Sequence, residues 1–183
     1  TCTNLGNAYR ARGDFDKAIE HYLQSVEIHD KAYALEHPNL AIAYNNLGEA
    51  YLAKEDHSSA ILHYQKSLAI KSKLLRPKHP SLVTTTTNLG NAYLSLGVHA
   101  AGQLDSEQAL ENLGKAEKIY AMLDPRHPQL ADAYLSMGSI YVEQGNKELA
   151  RNNLLKAKAI YLMTRDAVDP GSDQAQRLID DLD

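Results

Sequence analysis

The sequence predicts an all-α fold, a solenoid of stacked helix-turn-helix repeats, and two recurring markers carry this prediction. The first marker is Leu5-Gly6, which returns after steps of 42, 42 and 48 residues as Leu47-Gly48, Leu89-Gly90 and Met137-Gly138. The second is a dipeptide ending in proline, which returns after steps of 42, 48 and 42 residues: His37-Pro38, His79-Pro80, His127-Pro128 and Asp169-Pro170. Because both markers give the same register, the chain contains four internal repeats.

The spacing inside each repeat indicates a pair of helices. Within each half of a repeat, small and apolar residues recur at steps of three and four, as they do on one face of an α-helix. In the first repeat these residues are Tyr9, Ala18, Tyr22, Ser25 and Ile28. A glycine between the halves, such as Gly13, can end the first helix because it tolerates a left-handed backbone. The second repeat has Glu55 there, and we expect the third to use Gly97.

The repeats and their helices are assigned in chain order. The four repeats are residues 1–36, 37–78, 79–126 and 127–168. Their helix pairs are expected at about 1–12 with 15–34, 38–54 with 57–75, 80–101 with 106–123, and 128–144 with 147–164. A last helix over 171–183 is either the first half of a fifth repeat or a capping helix, which repeat arrays need at an exposed end. The chain opens on Thr1 inside a repeat, so we expect it to be a piece of a longer protein.

The third repeat carries an insertion near residues 98–104. It has seven residues more between Gly97 and Ala109 than the first repeat has at the same place. Seven residues are about two helical turns. Asp105, with a glutamine three residues later, resembles a capping box that starts the second helix. We therefore expect both helices to lengthen by about one turn, so that a tip near Gly102 protrudes. The alternative is an irregular loop.

The histidines are expected to have structural roles. Proline suits the first position of a helix because its missing N–H would have no partner there. His37, His79 and His127 then precede helix starts, where they can cap. They recur once per repeat, too far apart for one zinc site. His21 and His63 share a column on the second helices and are expected to be exposed.

Composition excludes several classes of function. With 19 basic and 23 acidic residues the net charge is −4, which disfavours a protein that neutralises nucleic-acid phosphates. Cys2 is the single cysteine, so no internal disulfide can form. No run approaches the roughly 18 apolar residues that span a bilayer. No signal peptide is visible, so a cytoplasmic location is expected. We expect a monomeric fragment without membrane contact.

Catalysis is not expected either. The sequence has no glycine-rich phosphate loop and no nucleophile elbow. Its carboxylates are scattered over the repeats instead of being paired in one pocket, which an active site requires. No cofactor or metal is expected.

The motif Leu-Gly-x-x-Tyr, then Gly, then Ala-x-x-x-Tyr-x-x-Ser/Ala resembles the tetratricopeptide repeat, whose unit is usually about 34 residues. The 42-residue spacing with a His-Pro junction is similar to the repeats of kinesin light chain and its relatives. The resemblance covers almost the whole chain. It implies a right-handed superhelix in which the first helix of each pair lines a concave groove. It also implies a scaffold that holds a peptide or helix of a partner protein there.

The resemblance places a set of residues on that groove. They are Asn4, Asn7, Arg10, Asn45, Asn46, Glu49, Leu52, Thr84, Thr87, Asn88, Asn91, Leu94 and Ser139. Asn4, Asn46 and Asn88 occupy the same place in three successive repeats. Each amide both donates and accepts hydrogen bonds, so this column suits the backbone of an extended peptide. The other interpretation is that these positions are polar because they face solvent.

The charges of the predicted groove residues limit the kind of peptide that the groove is expected to bind. Some repeats of this family grip a C-terminal carboxylate of a chaperone with Lys and Arg, but the matching positions of the third repeat are Thr84 and Asn88. Kinesin light chains bind acidic cargo through a basic groove, whereas Arg10 is the one cation in the set above. Neither rule is expected to transfer. Two other functions stay open: a structural spacer or oligomerisation segment, and a sensor array joined to a nucleotide-driven switch domain.

Overall fold

The computed structural model describes residues 2–32, 37–164 and 169–182, and these residues form nine α-helices and no strand. The helices are α1 (Cys2–Ala11), α2 (Phe15–Ala32), α3 (Pro38–Ala53), α4 (His57–Leu74), α5 (Pro80–Gly102), α6 (Ser106–Leu123), α7 (Pro128–Glu143), α8 (Lys147–Thr164) and α9 (Pro170–Asp180). The all-α fold of helix-turn-helix repeats is confirmed. The expected repeat ends at residues 36 and 168 lie outside the described residues.

The helix starts follow the proline marker. Four helices begin at its proline, and two of the preceding histidines cap the helix as expected. His37 Nδ1 accepts the backbone N–H of Asn39 at 3.1 Å, and His79 Nδ1 accepts the N–H two residues on at 3.2 Å. His127 has a structural role as expected, but that role is not capping. Its ring stacks on Tyr120 instead, with the centroids 4.7 Å apart, and its side chain makes no cap hydrogen bond.

The helices pack into two compact halves, residues 1–92 and 93–183. The first half is built on α1 to α4 and the start of α5. One of its buried clusters joins α2 to α3: Ala18, Ile19, Tyr22, Leu47 and Ala50. In the second half, α9 places Ala175 and Ile179 against Ala150 and Leu154 of α8, which covers the outer face of that helix.

In each described helix pair, a glycine of the first helix packs against a large side chain of the second. We call this residue the closing glycine. Gly6 faces Tyr22, Gly48 faces Tyr64 and Gly138 faces Leu154. A methyl group at Gly48 would lie 2.6 Å from the Tyr64 ring, closer than any real contact. The glycine therefore sets how closely the two helices approach.

In the third repeat this glycine is Gly97, and the expectation that Gly97 forms the turn is wrong. A methyl group at Gly97 would lie 2.7 Å from Cγ of Leu113, as at the other closing glycines. A contact between a lysine and a tyrosine also aligns Gly97 of the third repeat with Gly48 of the second. Lys115 lies over Tyr93 with Nζ 5.4 Å from the ring centroid, and Lys66 lies over Tyr44 at 5.4 Å. In both cases the tyrosine precedes the closing glycine by four residues.

The insertion lies wholly in α5. This helix has 23 residues against 16 in both α3 and α7, whereas α4, α6 and α8 all have 18. The expected lengthening of both helices and the alternative of a loop are both wrong. The extra turns precede Gly97, so the hairpin tip is no longer than in the other repeats. Seven residues fit because they complete two turns with a drift of only about 20°, which keeps the same face inward.

The turns between the two helices of each pair share one backbone feature. It is found at the residue that follows the closing glycine by seven positions. The residues there have positive φ: Gly13 at 77°, Glu55 at 62°, Leu104 at 61° and Gly145 at 71°. Left-handed backbone costs glycine little but strains other residues. The second and third repeats therefore keep the same turn with less suitable residues.

Candidate functional site

Polar side chains of consecutive first helices meet on one face of the first half. We call this surface the polar face and define it by Asn7, Arg10, Asn45, Asn46, Glu49 and Asn88. It is formed by α1, α3 and the first turns of α5. All six residues belong to the set that the sequence placed on the groove.

Two amides of the asparagine column form rungs between neighbouring helices. Asn46 Nδ2 donates to Asn7 Oδ1 at 3.2 Å, which joins α3 to α1. Asn88 Nδ2 donates to Glu49 Oε1 at 3.4 Å, which joins α5 to α3. The acceptors also share a column, since each follows the Leu-Gly marker of its repeat directly. Asn4, the first residue of the donor column, is exposed on α1.

Glu49 is the centre of the polar face. Its Oε1 accepts from Asn45 Nδ2 at 2.8 Å as well as from Asn88, and its Oε2 forms an ion pair with Arg10 Nη1. Both partners of the ion pair reach solvent, with side-chain exposures of 40% for Arg10 and 26% for Glu49. The two charges cancel, so the polar face is close to neutral.

The second helix also holds Asn7 in place. Tyr22, which is fully buried, donates its hydroxyl to Asn7 Oδ1 at 2.7 Å. Asn7 therefore accepts from α2 and from Asn46 at the same oxygen. This fixes the orientation of its amide, so its two N–H groups point away from both partners.

A buried branch extends from Asn45 to a lysine that the sequence analysis did not select. Asn45 Oδ1 accepts from the hydroxyl of Thr85 at 2.8 Å, and Lys71 Nζ donates to Oγ1 of Thr85 at 2.6 Å. Thr85 is fully buried and Lys71 is 7% exposed. Burial lowers the pKa of the Lys71 ammonium, and the negative charge of Glu49 partly offsets this. The signal in the sequence was a lysine where the later repeats have Tyr120 and Tyr161.

The four threonines at 84–87 bind back to their own helix. Each hydroxyl lies within 2.9–3.1 Å of the carbonyl oxygen four residues earlier. Thr84 is exposed and Thr87 half-buried. The hydroxyls of Thr84, Thr86 and Thr87 each give their proton to the helix but keep lone pairs that can accept a hydrogen bond, whereas Thr85 gives its one proton to the side chain of Asn45.

Four further residues of the predicted groove set lie on α3, α5 and α7. Leu52 and Asn91 are half-buried in the first half. In the second half, Leu94 packs against the cluster that contains Ala116, and Ser139 donates to the carbonyl of Leu135 at 3.0 Å.

One histidine of the second helices is buried, so the expectation that it is exposed is wrong. His63 lies between Tyr44 and Tyr51, with ring centroids 5.8 and 5.2 Å away, and it is 8% exposed. Burial, with a smaller contribution from the charge of Lys66, lowers its pKa to about 4. His21 is half-buried and stacks on Tyr9 at 5.3 Å.

The described residues offer neither a cluster suited to a metal ion nor a helix suited to a bilayer. Within residues 2–32, 37–164 and 169–182, no three His, Cys, Asp or Glu side chains converge as a metal site would need. No helix in these same ranges combines the length and the apolar character needed to cross a bilayer.

The chain was compared with known families and structures. The family model described as tetratricopeptide repeat matches residues 2–73 and 91–163. The second match begins inside α5, so it takes in Gly97 and not Leu89-Gly90, in agreement with the register of the structure. No curated protein sequence matches the chain.

Solved structures resemble the chain over most of its length. One from Podosopora anserina, described as kinesin light chain nearly identical TPR-like repeats, has 26% identity and a TM-score of 0.58, covering 99% of this chain and 83% of that one. BtubC (BKLC) from P. vanneervenii has 22% identity and a TM-score of 0.58, covering 92% and 65%. The apo form of RapI has 13% identity and a TM-score of 0.67, covering 99% and 46%. The last two likenesses concern the fold alone.

Proposed function

Because the chain belongs to the tetratricopeptide repeat family, whose fold suggests a protein–protein interaction scaffold, we propose that it holds an extended peptide of a partner protein. The peptide would lie against the polar face of α1, α3 and the start of α5. Proteins of this family are generally scaffolds without catalytic activity, and the polar face offers the groups that a scaffold uses.

The inter-helix rungs are the observation that carries this proposal. Each rung uses one amide hydrogen, so Asn46 and Asn88 each keep a second N–H and a carbonyl oxygen. These groups suit the alternating N–H and C=O of an extended chain. The rungs also fix the amides before the peptide arrives. Fewer side-chain rotations are then lost on binding, which favours affinity.

The charge of the polar face favours a peptide without a strong net charge. Arg10 and Glu49 are paired with each other, so neither is a free counter-charge for a ligand. An acidic peptide would have to compete with Glu49 for Arg10, and a basic one with Arg10 for Glu49. Recognition would then depend on hydrogen bonds to the backbone and on apolar side chains beside the asparagines.

The test is a selection of displayed peptides on the purified chain. The variant carries Asn4→Ala, Asn46→Ala and Asn88→Ala together, and the control carries Asn152→Ala, an exposed asparagine on α8. Circular dichroism melts establish that each variant folds. We expect a neutral consensus peptide that binds the native chain and the control alike and at least tenfold more weakly to the triple variant.

Two results would overturn the proposal. The first is a selection without enrichment, and the second is a consensus that binds the folded triple variant as well as the native chain. Sedimentation at high concentration then decides between the remaining roles. A reversible dimer would favour the oligomerisation segment. A monomer would favour a spacer or a sensor array in a longer protein.

A further inference from the structure

A cavity of about 150 Å³ lies between the start of α3 and the end of α4, within the first half. It is lined by Pro38, Ala41, Ile42, Lys71, Leu74, Leu75, His79 and Ser81. Most of this lining is apolar, and none of it belongs to the polar face. A cavity of this size holds a molecule comparable to benzene.

Lys71, the basic residue in this lining, is nine-tenths buried. Its Nζ donates to Thr85 Oγ1 at 2.6 Å and to the carbonyl of Ser81 at 3.2 Å. An ammonium has three hydrogens, so one is left over. Among the described residues no carboxylate forms a salt bridge with it. The acid that influences its charge is Glu49, which is engaged with Arg10.

Packing does not require a charge at this position. The later repeats place Tyr120 and Tyr161 there, fully buried or nearly so. A buried cation is costly when no anion pairs with it. In this repeat, however, Lys71 lines an apolar cavity instead of a closed core. An anionic group with an apolar body would complement both the lysine and the apolar lining.

We propose that this cavity binds a small apolar carboxylic acid, with its carboxylate on Lys71 and its hydrocarbon part against Ala41, Leu74 and Leu75. An acid of about five to seven carbons matches the volume. The carboxylate would take the free hydrogen of the Lys71 ammonium as a charge-assisted hydrogen bond. This site is independent of the peptide proposed for the polar face.

The lining favours a free acid over the end of a peptide chain. A peptide would bring backbone N–H and C=O groups that need partners. The backbone groups of Ser81 cannot pair with such a chain, since its N–H donates to His79 and its carbonyl accepts from Lys71. A ligand whose single polar group is its carboxylate leaves nothing unsatisfied.

The test is a titration of the purified chain with sodium benzoate and, as a matched neutral ligand, benzamide, followed by protein NMR chemical shifts. We expect benzoate to shift the amide signals of residues around the cavity and to bind at least tenfold more tightly than benzamide. Sodium acetate, which has the charge without the apolar body, should bind at least tenfold more weakly than benzoate.

Variants locate the site. Lys71→Met should abolish benzoate binding, and Lys73→Met, an exposed neighbour on α4, should leave it unchanged. If Lys71→Met does not fold, Ile42→Glu serves instead. Ile42 is 45% exposed, so a carboxylate there would repel benzoate without entering the core. Ile42→Gln is its neutral control and should retain binding within about threefold of the native chain.

Three results would overturn the proposal. Equal affinity for benzoate and benzamide would show that the negative charge of the ligand does not contribute to binding. Unchanged benzoate binding in folded Lys71→Met or Ile42→Glu would remove this site. 4-Methylpentanoate has the same branched end as acetyl-Ala-Leu. Tighter binding of acetyl-Ala-Leu would show that the cavity binds the carboxyl end of a peptide and not a free acid.

Discussion

The substitution Gly97→Ala tests the register of the third repeat directly. The added methyl would lie 2.7 Å from Cγ and 3.1 Å from the backbone N of Leu113. Leu113 is fully buried, so neither atom can move aside without displacing α6. Overpacking of this kind costs about 1–3 kcal/mol. Alanine recovers up to about 1 kcal/mol in helix propensity. We expect a net loss of up to about 2 kcal/mol.

Gly102→Ala is the matched control, because Gly102 is the last residue of the same helix. A methyl group there would meet nothing within 4 Å. Its effect should be neutral or stabilising, by at most about 1 kcal/mol. Thermal unfolding followed by circular dichroism measures both variants. A change of 1 kcal/mol in the free energy of unfolding moves Tm by about 2–4 °C in a chain of this size.

The two variants should therefore differ by several degrees in Tm, with Gly97→Ala the less stable. If Gly97→Ala were as stable as Gly102→Ala, Gly97 would not be the point where α5 closes on α6. The assignment of all seven extra residues to the part of α5 before Gly97 would then fail with it.

Three further predictions follow from buried or strained residues. The pKa of His63 is about 4 in the folded state against 6.5 as its ordinary value, so only the unfolded state takes up a proton between these values. Stability should be full above pH 6.5 and fall by at most about 3 kcal/mol down to pH 4, and His63→Phe should flatten this urea-midpoint profile. Leu104→Gly should raise the free energy of unfolding by about 0.5–1 kcal/mol, since Leu104 has a φ of 61° and is 85% exposed; a loss measured by urea unfolding would contradict this. Thr85→Val should cost about 1–3 kcal/mol because Lys71 loses a buried partner, and adding Lys71→Met should recover part of that loss in a double-mutant cycle. Strict additivity would show that the two residues are not coupled.

Helix boundaries could be predicted from the sequence because local chemistry determines them. The proline of each marker begins a helix, and the capping residue Asp105 accepts the N–H of Gln108 at 3.0 Å, as the capping-box pattern indicated. Every expected boundary that falls on described residues agrees within about two residues, the usual uncertainty of a helix end.

The register of the third repeat could not be predicted from the marker alone. The segment TNLGNAY at 87–93 copies the first repeat closely, so the marker predicts Gly90 as the glycine equivalent to Gly6. A helix lengthened by seven residues keeps the same face inward, so two glycines seven apart are equivalent in a pattern. The distinguishing signal is Tyr93 four residues before Gly97, which repeats Tyr44 before Gly48.

The candidate site, too, could be predicted from the sequence only in part. The spacing of 42 residues placed Asn46 and Asn88 in one column, because equal positions of a repeat share a face. It did not show that their amides donate to the preceding helix, since Asn88 and Glu49 are 39 residues apart in the chain. The spacing also did not identify Thr85, whose hydroxyl donates to Asn45 although 40 residues separate the two in the chain.

The repeats, the helix pairs, their boundaries and the family could be read from the sequence alone, because periodicity and capping are patterns along the chain. The tertiary structure decided which glycine closes the third pair, which amides are engaged and that Lys71 borders a cavity. Those features depend on contacts between residues far apart in the chain. The sequence marks two of them, by Tyr93 four residues before Gly97 and by a lysine in place of tyrosine, but such marks show neither the partner nor the geometry of the contact.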